Sequence, residues 1–220
     1  MRRRMSRPRR VKRTKVLGGR KRTVNRVRRQ IHMFKRSTYL GQVTASISAL
    51  GVPTPVGNAY AFSLSQLPSV SEFSNLFDQY KITGAKLQLT PATSEGILSP
   101  LSGTAQPLGF SRVHSVIDYD DTSAPTSEDQ LLEYGSHKST APFQTHTRFI
   151  KPKVLQEIYR STLGTAYAPR GSQYLDIAYS DIPHYGLKVW ISAPNTNPGT
   201  AQSVTYKVYL TLYFTCKNVR

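Results

Sequence analysis

Between Val204 and Thr215 the chain alternates without a break. Val204, Tyr206, Val208, Leu210, Leu212 and Phe214 fall on one parity, and Thr205, Lys207, Tyr209, Thr211, Tyr213 and Thr215 on the other. A period of two over this stretch puts one set on each side of an extended strand, and a helix would scatter both sets around its circumference. The β-branched and aromatic content suits a pleated surface buried on one side. Any fold open to this chain must therefore supply a second layer to cover one face of a strand ~40 Å long.

The same period recurs upstream. Leu187, Val189 and Ile191 alternate with Lys188, Trp190 and Ser192, and a Pro/Asn/Gly stretch over 193–202 separates them from the last strand. Tyr39, Gly41, Val43, Ala45, Ile47 and Ala49 alternate with largely polar neighbours. Tyr60, Phe62 and Leu64 make a short strand. Residues 80–90 make another, with a bulge expected at Gly84, where the apolar phase shifts from even to odd positions. Residues 110–119, 145–150 and 174–178 complete a set of eight strands. Only 70–77 reads as a helix, with Ser69 or Ser71 as its N-cap. Long Ser/Thr/Pro/Gly-rich connections occupy 91–109, 120–144 and 151–173. Loops of that length in a compact β domain usually pack against or bind something. Eight strands with uneven loops predict an all-β fold: a single eight-stranded jelly roll, a two-sheet antiparallel sandwich.

Charge divides the chain in two. There are 30 Lys and Arg against 12 Asp and Glu, a net +18. Residues 1–36 hold 13 Arg and 4 Lys with no carboxylate, leaving 37–220 at only +1. The basic side chains are Arg2, Arg3, Arg4, Arg7, Arg9, Arg10, Lys12, Arg13, Lys15, Arg20, Lys21, Arg22, Arg26, Arg28, Arg29, Lys35 and Arg36. Their mutual repulsion, with little apolar surface to offset chain entropy, predicts an arm that is disordered alone and needs a polyanion. Nucleic acid fits best, since each neutralised phosphate releases a counterion, and the excess of Arg favours bidentate phosphate contacts. Val24, Val27, Ile31 and Phe34 share one helical face, so 24–34 is expected to turn helical against a partner. Arg2, Arg3, Arg4, Arg7, Arg9, Arg10, Lys12 and Arg13 also read as a nuclear-import signal. A mitochondrial transit peptide and an anionic membrane surface are weaker readings of the same arm. The expected division is an arm at 1–36 and a body at 37–220.

Sites for chemistry are sparse. One cysteine, Cys216, excludes a disulfide framework and a zinc module. His32, His114, His137, His146 and His184 show no metal-pair spacing. Asp118, Asp120 and Asp121 form the one dense carboxylate cluster, open to a divalent cation, to pairing with a basic neighbour, or to simple solvation. His146 and Arg148 alternate on a strand and could face a phosphate or water. Gly18-Gly19-Arg20-Lys21 lacks the preceding strand and the spacing of a phosphate loop. No apolar run approaches the length of a membrane span, and no apolar segment follows the basic start as in a secretory signal. The chain reads as a non-enzyme with no cofactor and no bound metal.

Four segments carry a resemblance. They are Phe77-Asp78-Gln79-Tyr80-Lys81-Ile82 with Lys86-Leu87-Gln88-Leu89-Thr90-Pro91, then Val116-Ile117-Asp118-Tyr119-Asp120-Asp121, then His146-Thr147-Arg148-Phe149-Ile150-Lys151-Pro152-Lys153, and the closing Tyr206–Phe214 alternation. In this order, behind an Arg-rich start, they resemble the capsid proteins of circovirus-type small circular single-stranded DNA viruses. The loops differ in length and content, so receptor features of that family do not carry over. The resemblance implies a jelly-roll coat subunit that self-assembles into a sixty-copy icosahedral shell. It also implies an arm that packages single-stranded DNA and engages the host nuclear-import machinery, with the protein in the virion and, during assembly, in the nucleus. Sixty arms of +17 would bring ~1,020 positive charges, enough for on the order of one thousand phosphates. The alternative is a ribosomal or other RNA-binding protein with a basic tail, which shares the arm but predicts no self-association.

Overall fold

The computed structural model describes residues 31–92, 111–119, 121–162, 164–194 and 202–219. In chain order the strands and helices are β1 Ile31–Ile47, β2 Pro53–Thr54, β3 Val56–Phe62, α1 Val70–Leu76, β4 Phe77–Pro91, β5 Val113–Ile117, α2 Asp129–Leu132, β6 Lys138–Thr140, β7 His146–Ile150, β8 Leu155–Arg160, β9 Thr165–Pro169, β10 Leu175–Asp176, β11 His184–Ile191 and β12 Gln202–Val219. Short 3-10 turns follow β3 and β10.

The alternation read in Val204–Thr215 governs the architecture. Tyr206, Val208, Leu210, Leu212 and Phe214 are buried, and the intervening side chains look outward. With β12 central, its two backbone edges take β1 on one side and β4 on the other, both antiparallel. The first sheet runs β10-β4-β12-β1-β2, with β7 also pairing with β4. A second sheet runs β3-β11-β5-β6. Strands remote in sequence lie side by side, as two interleaved Greek keys require, and the result is a jelly roll. Its core lies between the inner faces: Tyr80, Ile82, Leu87 and Leu89 of β4 and the even residues of β12 meet Phe62, Val113, Leu187, Val189 and Ile191.

Bulges flank the central strand on both sides. On β4, Ile82 pairs with Phe214 and Gly84 with Tyr213, so Thr83 is the extra residue, beside the expected Gly84. On β1, Tyr39 pairs with Tyr209 and Gly41 with Val208, so Leu40 is extra and Gly41 takes φ +124°. Each bulge switches the parity that points inward, which keeps the apolar residues of a long strand on the core side.

Three expectations change. The helical stripe ending at Ile31 and Phe34 is replaced by strand: Ile31 pairs with Lys217 and Phe34 with Phe214. Val24 and Val27 lie outside the described residues. Pairing along β12 satisfies the peptide groups on one edge of this segment and docks its side chains on the core, whereas a short free helix is marginal in water. His32 and Phe34 then point inward, where Phe34 meets the rings of Phe73, Phe77 and Phe214 at 5.0, 5.7 and 5.5 Å. Second, Lys35 and Arg36, expected in the arm, lie on β1. Third, two of the long connections carry structure of their own. Residues 121–144 contain α2 and β6, and 151–173 contain the β8–β9 hairpin; residues 93–109 lie outside the described residues. Expected strand 174–178 shortens to Leu175–Asp176 and passes into a 3-10 turn, and 60–64 ends at Phe62. Helix α1 forms where expected; Ser69 is its N-cap residue but makes no side-chain capping bond.

Candidate nucleic-acid interface

Of the basic residues singled out in the sequence, Arg2 through Arg29 lie outside the described residues. Lys35 and Arg36 are on β1. Lys35 points outward with its ammonium 5.7 Å from the Tyr213 ring centre. Arg36 turns to the rim of the core, its guanidinium 5.7 Å from the Phe73 ring and Nη1 donating to the Lys35 carbonyl.

The outward face of the β1–β12–β4 sheet extends from that point. Direct cross-strand partners share a face, so the register fixes its content. Tyr39, Tyr209 and Gln88 form one row; Ser37, Thr211 and Lys86 the next; Lys35, Tyr213 and Gly84 the third. Met33, Thr215 and Lys81 follow, then Ile31, Lys217 and Gln79. Lys207, between Gln42 and Thr90, closes the opposite end. Tyr39 and Tyr209 stack at 5.5 Å. Phe149 on β7 is 52 % exposed and meets Tyr213 edge-on at 5.7 Å. It reaches Tyr213 only because Gly84 has no side chain: a Cβ there would sit 2.7 Å from the Phe149 ring. Tyr174 extends the face, with Lys217 over its ring at 4.0 Å and Lys81 at 5.8 Å. These rows hold five lysines, and Asp176 of β10, paired with Gln79, is the carboxylate that borders them. None of the ion pairs among the described residues uses one of these lysines.

The other side of the sandwich has the opposite character. Residues 121–137 cover the outer face of β5 and β11 and carry Asp121, Glu128, Asp129 and Glu133 with no Lys or Arg. Under this cover lies the carboxylate cluster. Lys188, outward on β11, is buried with its ammonium 2.8 Å from Asp118 Oδ2 and in contact with Asp121 Oδ1. Tyr134 donates its hydroxyl to Asp118 at 2.7 Å. Burial works against the Lys188 charge, but its hydrogen bonds to Asp118 and Asp121 outweigh that and hold its pKa above the usual value. Of the readings left open in the sequence, pairing with a basic neighbour is the one found; Asp120 lies outside the described residues. No group of three His, Cys, Asp or Glu side chains among the described residues is arranged to hold a metal ion.

His146 is not free to meet a phosphate, while Arg148 is half-buried. His146 is fully buried, with Nε2 2.9 Å from Ser115 Oγ and Nδ1 2.6 Å from Thr140 Oγ1. Arg148 donates to the Ser136 carbonyl. Next to them His114 Nδ1 lies 3.1 Å from His137 Nε2, and His114 Nε2 lies 3.3 Å from Glu128. Cys216 is buried in the core, and burial lifts its thiol pKa to about 11, which keeps it unreactive.

Sequence reading missed Lys81, Lys86, Lys207 and Lys217 as a group. Each stood alone among apolar neighbours, and only the pairing of β4 with β12 assembles them. The one legible signal was the outward parity of Lys207, Tyr209 and Tyr213.

The strand order places the chain among the jelly rolls, and the solved structures share that fold. The crystal structure of the 60-mer BFDV capsid protein superposes with a TM-score of 0.60 at 19% identity, covering 86% of this chain and 95% of that one. The decameric BFDV capsid protein gives 0.52 at 19% identity, covering 86% and 100%. The T=3 Penaeus vannamei nodavirus gives 0.50 at 16%, covering 98% of this chain and 62% of that one. No curated protein sequence matches. The sequence model of the circovirus capsid protein family matches residues 1–220, and the chain belongs to that family. The resemblance seen in the four ordered segments is thereby confirmed, and the protein is a virion coat component with a structural role.

Proposed function

We propose that this coat protein assembles into a closed icosahedral shell of sixty copies and packages a single-stranded DNA genome through residues 1–30. The observation that carries the reading is the segregation of charge at Ile31. Fifteen Arg and Lys with no carboxylate precede it, and the strand they lead into opens a sheet face with five more lysines. Such a leader neutralises phosphates without reading sequence, so it suits a whole genome and not a site. Sixty copies supply ~900 charges from the leader alone, at one per phosphate. The assembly number rests on the 60-mer BFDV likeness, and DNA as the cargo on family membership. Arg2 to Arg13 double as a nuclear-import signal in this reading, serving before assembly while packaging serves during it.

Because β1 begins at Ile31, the test is a deletion ending at Gln30. Cutting through Arg36 would remove Phe34 from the core. The truncated chain is expected to form particles whose 260/280 nm absorbance ratio falls to that of protein alone. Particles that keep the ratio of the full chain would contradict packaging by the arm. A full-length protein that stays monomeric at high concentration would contradict the shell.

A further inference from the structure

We propose that the outward face of the β1–β12–β4 sheet is a second nucleic-acid site, which takes single-stranded polynucleotide by stacking bases on Tyr39/Tyr209 and on Tyr213/Phe149. The inference rests on the packaging reading above and adds a base-binding surface to an arm that grips only backbone. Three observations carry it. Tyr39, Tyr209 and Phe149 are exposed and Tyr213 half-exposed on one side of the sheet, and Tyr209 and Tyr213, four residues apart on one strand, stand ~13 Å from each other. That spacing leaves room for nucleotides between two platforms flanked by Lys35, Lys86 and Lys207. Lysines on edge strands often serve to block strand addition, but Lys86, Lys207 and Lys217 are on β4 and β12, which are paired on both sides, so that role does not explain them. The chain also enters this same sheet directly behind the arm, at Ile31 beside Lys217. Charge complementarity selects the occupant: a face with five lysines and a single bordering carboxylate, Asp176, fits a polyanion, and exposed rings fit unpaired bases, which a duplex keeps stacked inside.

The test is ultraviolet crosslinking of the full-length protein to oligo(dT), followed by mapping of the adducts. Adducts are expected on peptides carrying Tyr39, Tyr209 or Tyr213 as well as on the arm. The Tyr39→Leu/Tyr209→Leu chain should lose about tenfold in affinity for oligo(dT), with its salt dependence and its duplex affinity unchanged, because stacking releases no counterions. Lys207→Gln should instead lower the salt slope by about one. Adducts confined to residues 1–30 would overturn the second site while leaving packaging by the arm intact. Absence of adducts and of binding altogether would overturn the packaging reading itself. Hydroxyl-radical protection of the face in particles free of nucleic acid would show a second protein copy there and also overturn it. The crosslinking map needs no variant, so a folding defect cannot obscure the answer.

Discussion

The Lys188 ammonium stands 2.8 Å from the Asp118 carboxylate, and both side chains are almost wholly withdrawn from solvent. They join β11 to the residue that follows β5, and Tyr134 ties the same carboxylate to the 121–137 cover. Removing Lys188 leaves the Asp118 charge buried without its cation, and removing Asp118 leaves Lys188 only its contact with the half-exposed Asp121. Lys188→Met and Asp118→Leu should each cost ~3–5 kcal/mol, with the double variant far less costly than their sum. Asp121 is half exposed and should cost under ~1 kcal/mol as Asn. Urea denaturation of the four variants measures the coupling; strict additivity would show that Lys188 and Asp118 do not act as a pair.

Acid should loosen the packing of β7 against β5 and β6, where His146 meets Ser115 and Thr140. Burial, with Lys138, Arg148 and His114 adding to it, brings His146 down to about 4 from an ordinary 6.5. His114 is lowered by burial and by His137 and Arg112, against the pull of Glu128. Burial lowers His184 too, against backbone hydrogen bonds at Ile182 and Phe62. The unfolded chain takes up these protons more readily, so stability is full above pH ~6.5 and declines as pH falls towards ~4, by about 3 kcal/mol from His146. His146→Gln should be less stable at pH 7.5 but flatter across that window. Melting temperatures that fall equally steeply with pH in both proteins would count against His146 as the source.

Two glycines should answer differently to the same change. Gly186 has φ +132°, and a Cβ there would lie 2.1 Å from the Tyr119 ring. Gly41 has φ +124° with open space around it. Gly41→Ala meets only backbone strain, of order 1–3 kcal/mol. Gly186→Ala meets strain and overlap together and should exceed it, displacing Tyr119 from the Lys151 carbonyl to which it donates. Equal melting temperatures for the two variants would refute the close approach.

Residues on opposite parities of β12 should separate stability from binding. Leu210 is fully buried, so Leu210→Ala should cost 2–5 kcal/mol. Lys207→Gln, one strand face away, should change stability by under ~0.5 kcal/mol. Guanidinium titrations read both directly; a large loss at Lys207 would mean the outward face is packed rather than open.

The alternation from Val204 to Thr215 made β12 legible as it is found, down to the buried parity, because a half-buried strand records its environment in every second residue. The strands at 80–90, 145–150 and 187–192 and the bulge beside Gly84 were legible for the same local reason, whereas 174–178 shortened to Leu175–Asp176. Strand β1 was only half legible. The 3-4-3 spacing of Val24, Val27, Ile31 and Phe34 fits a helix as well as the His32/Phe34 alternation fits a strand, and pairing with β12 decides between them over Ile31–Phe34. The β8–β9 hairpin was missed because its side chains are mostly exposed and carry little apolar alternation.

Net charge is a sum over the sequence, so the contrast between a strongly cationic leader and an almost neutral body could be read directly. Where that neutral body keeps its charges is a different quantity. Lys35, Lys81, Lys86, Lys207 and Lys217 come from three strands far apart in the chain, and only the antiparallel register gathers them on one side of the sandwich. The same register sends Asp121, Glu128, Asp129 and Glu133 to the cover over the other side and draws Asp118 to Lys188. Local side-chain pattern determined which segments are strands and which face each one buries; long-range pairing alone decided which outward faces became neighbours, because no residue's own surroundings in sequence encode the strand that will lie beside it.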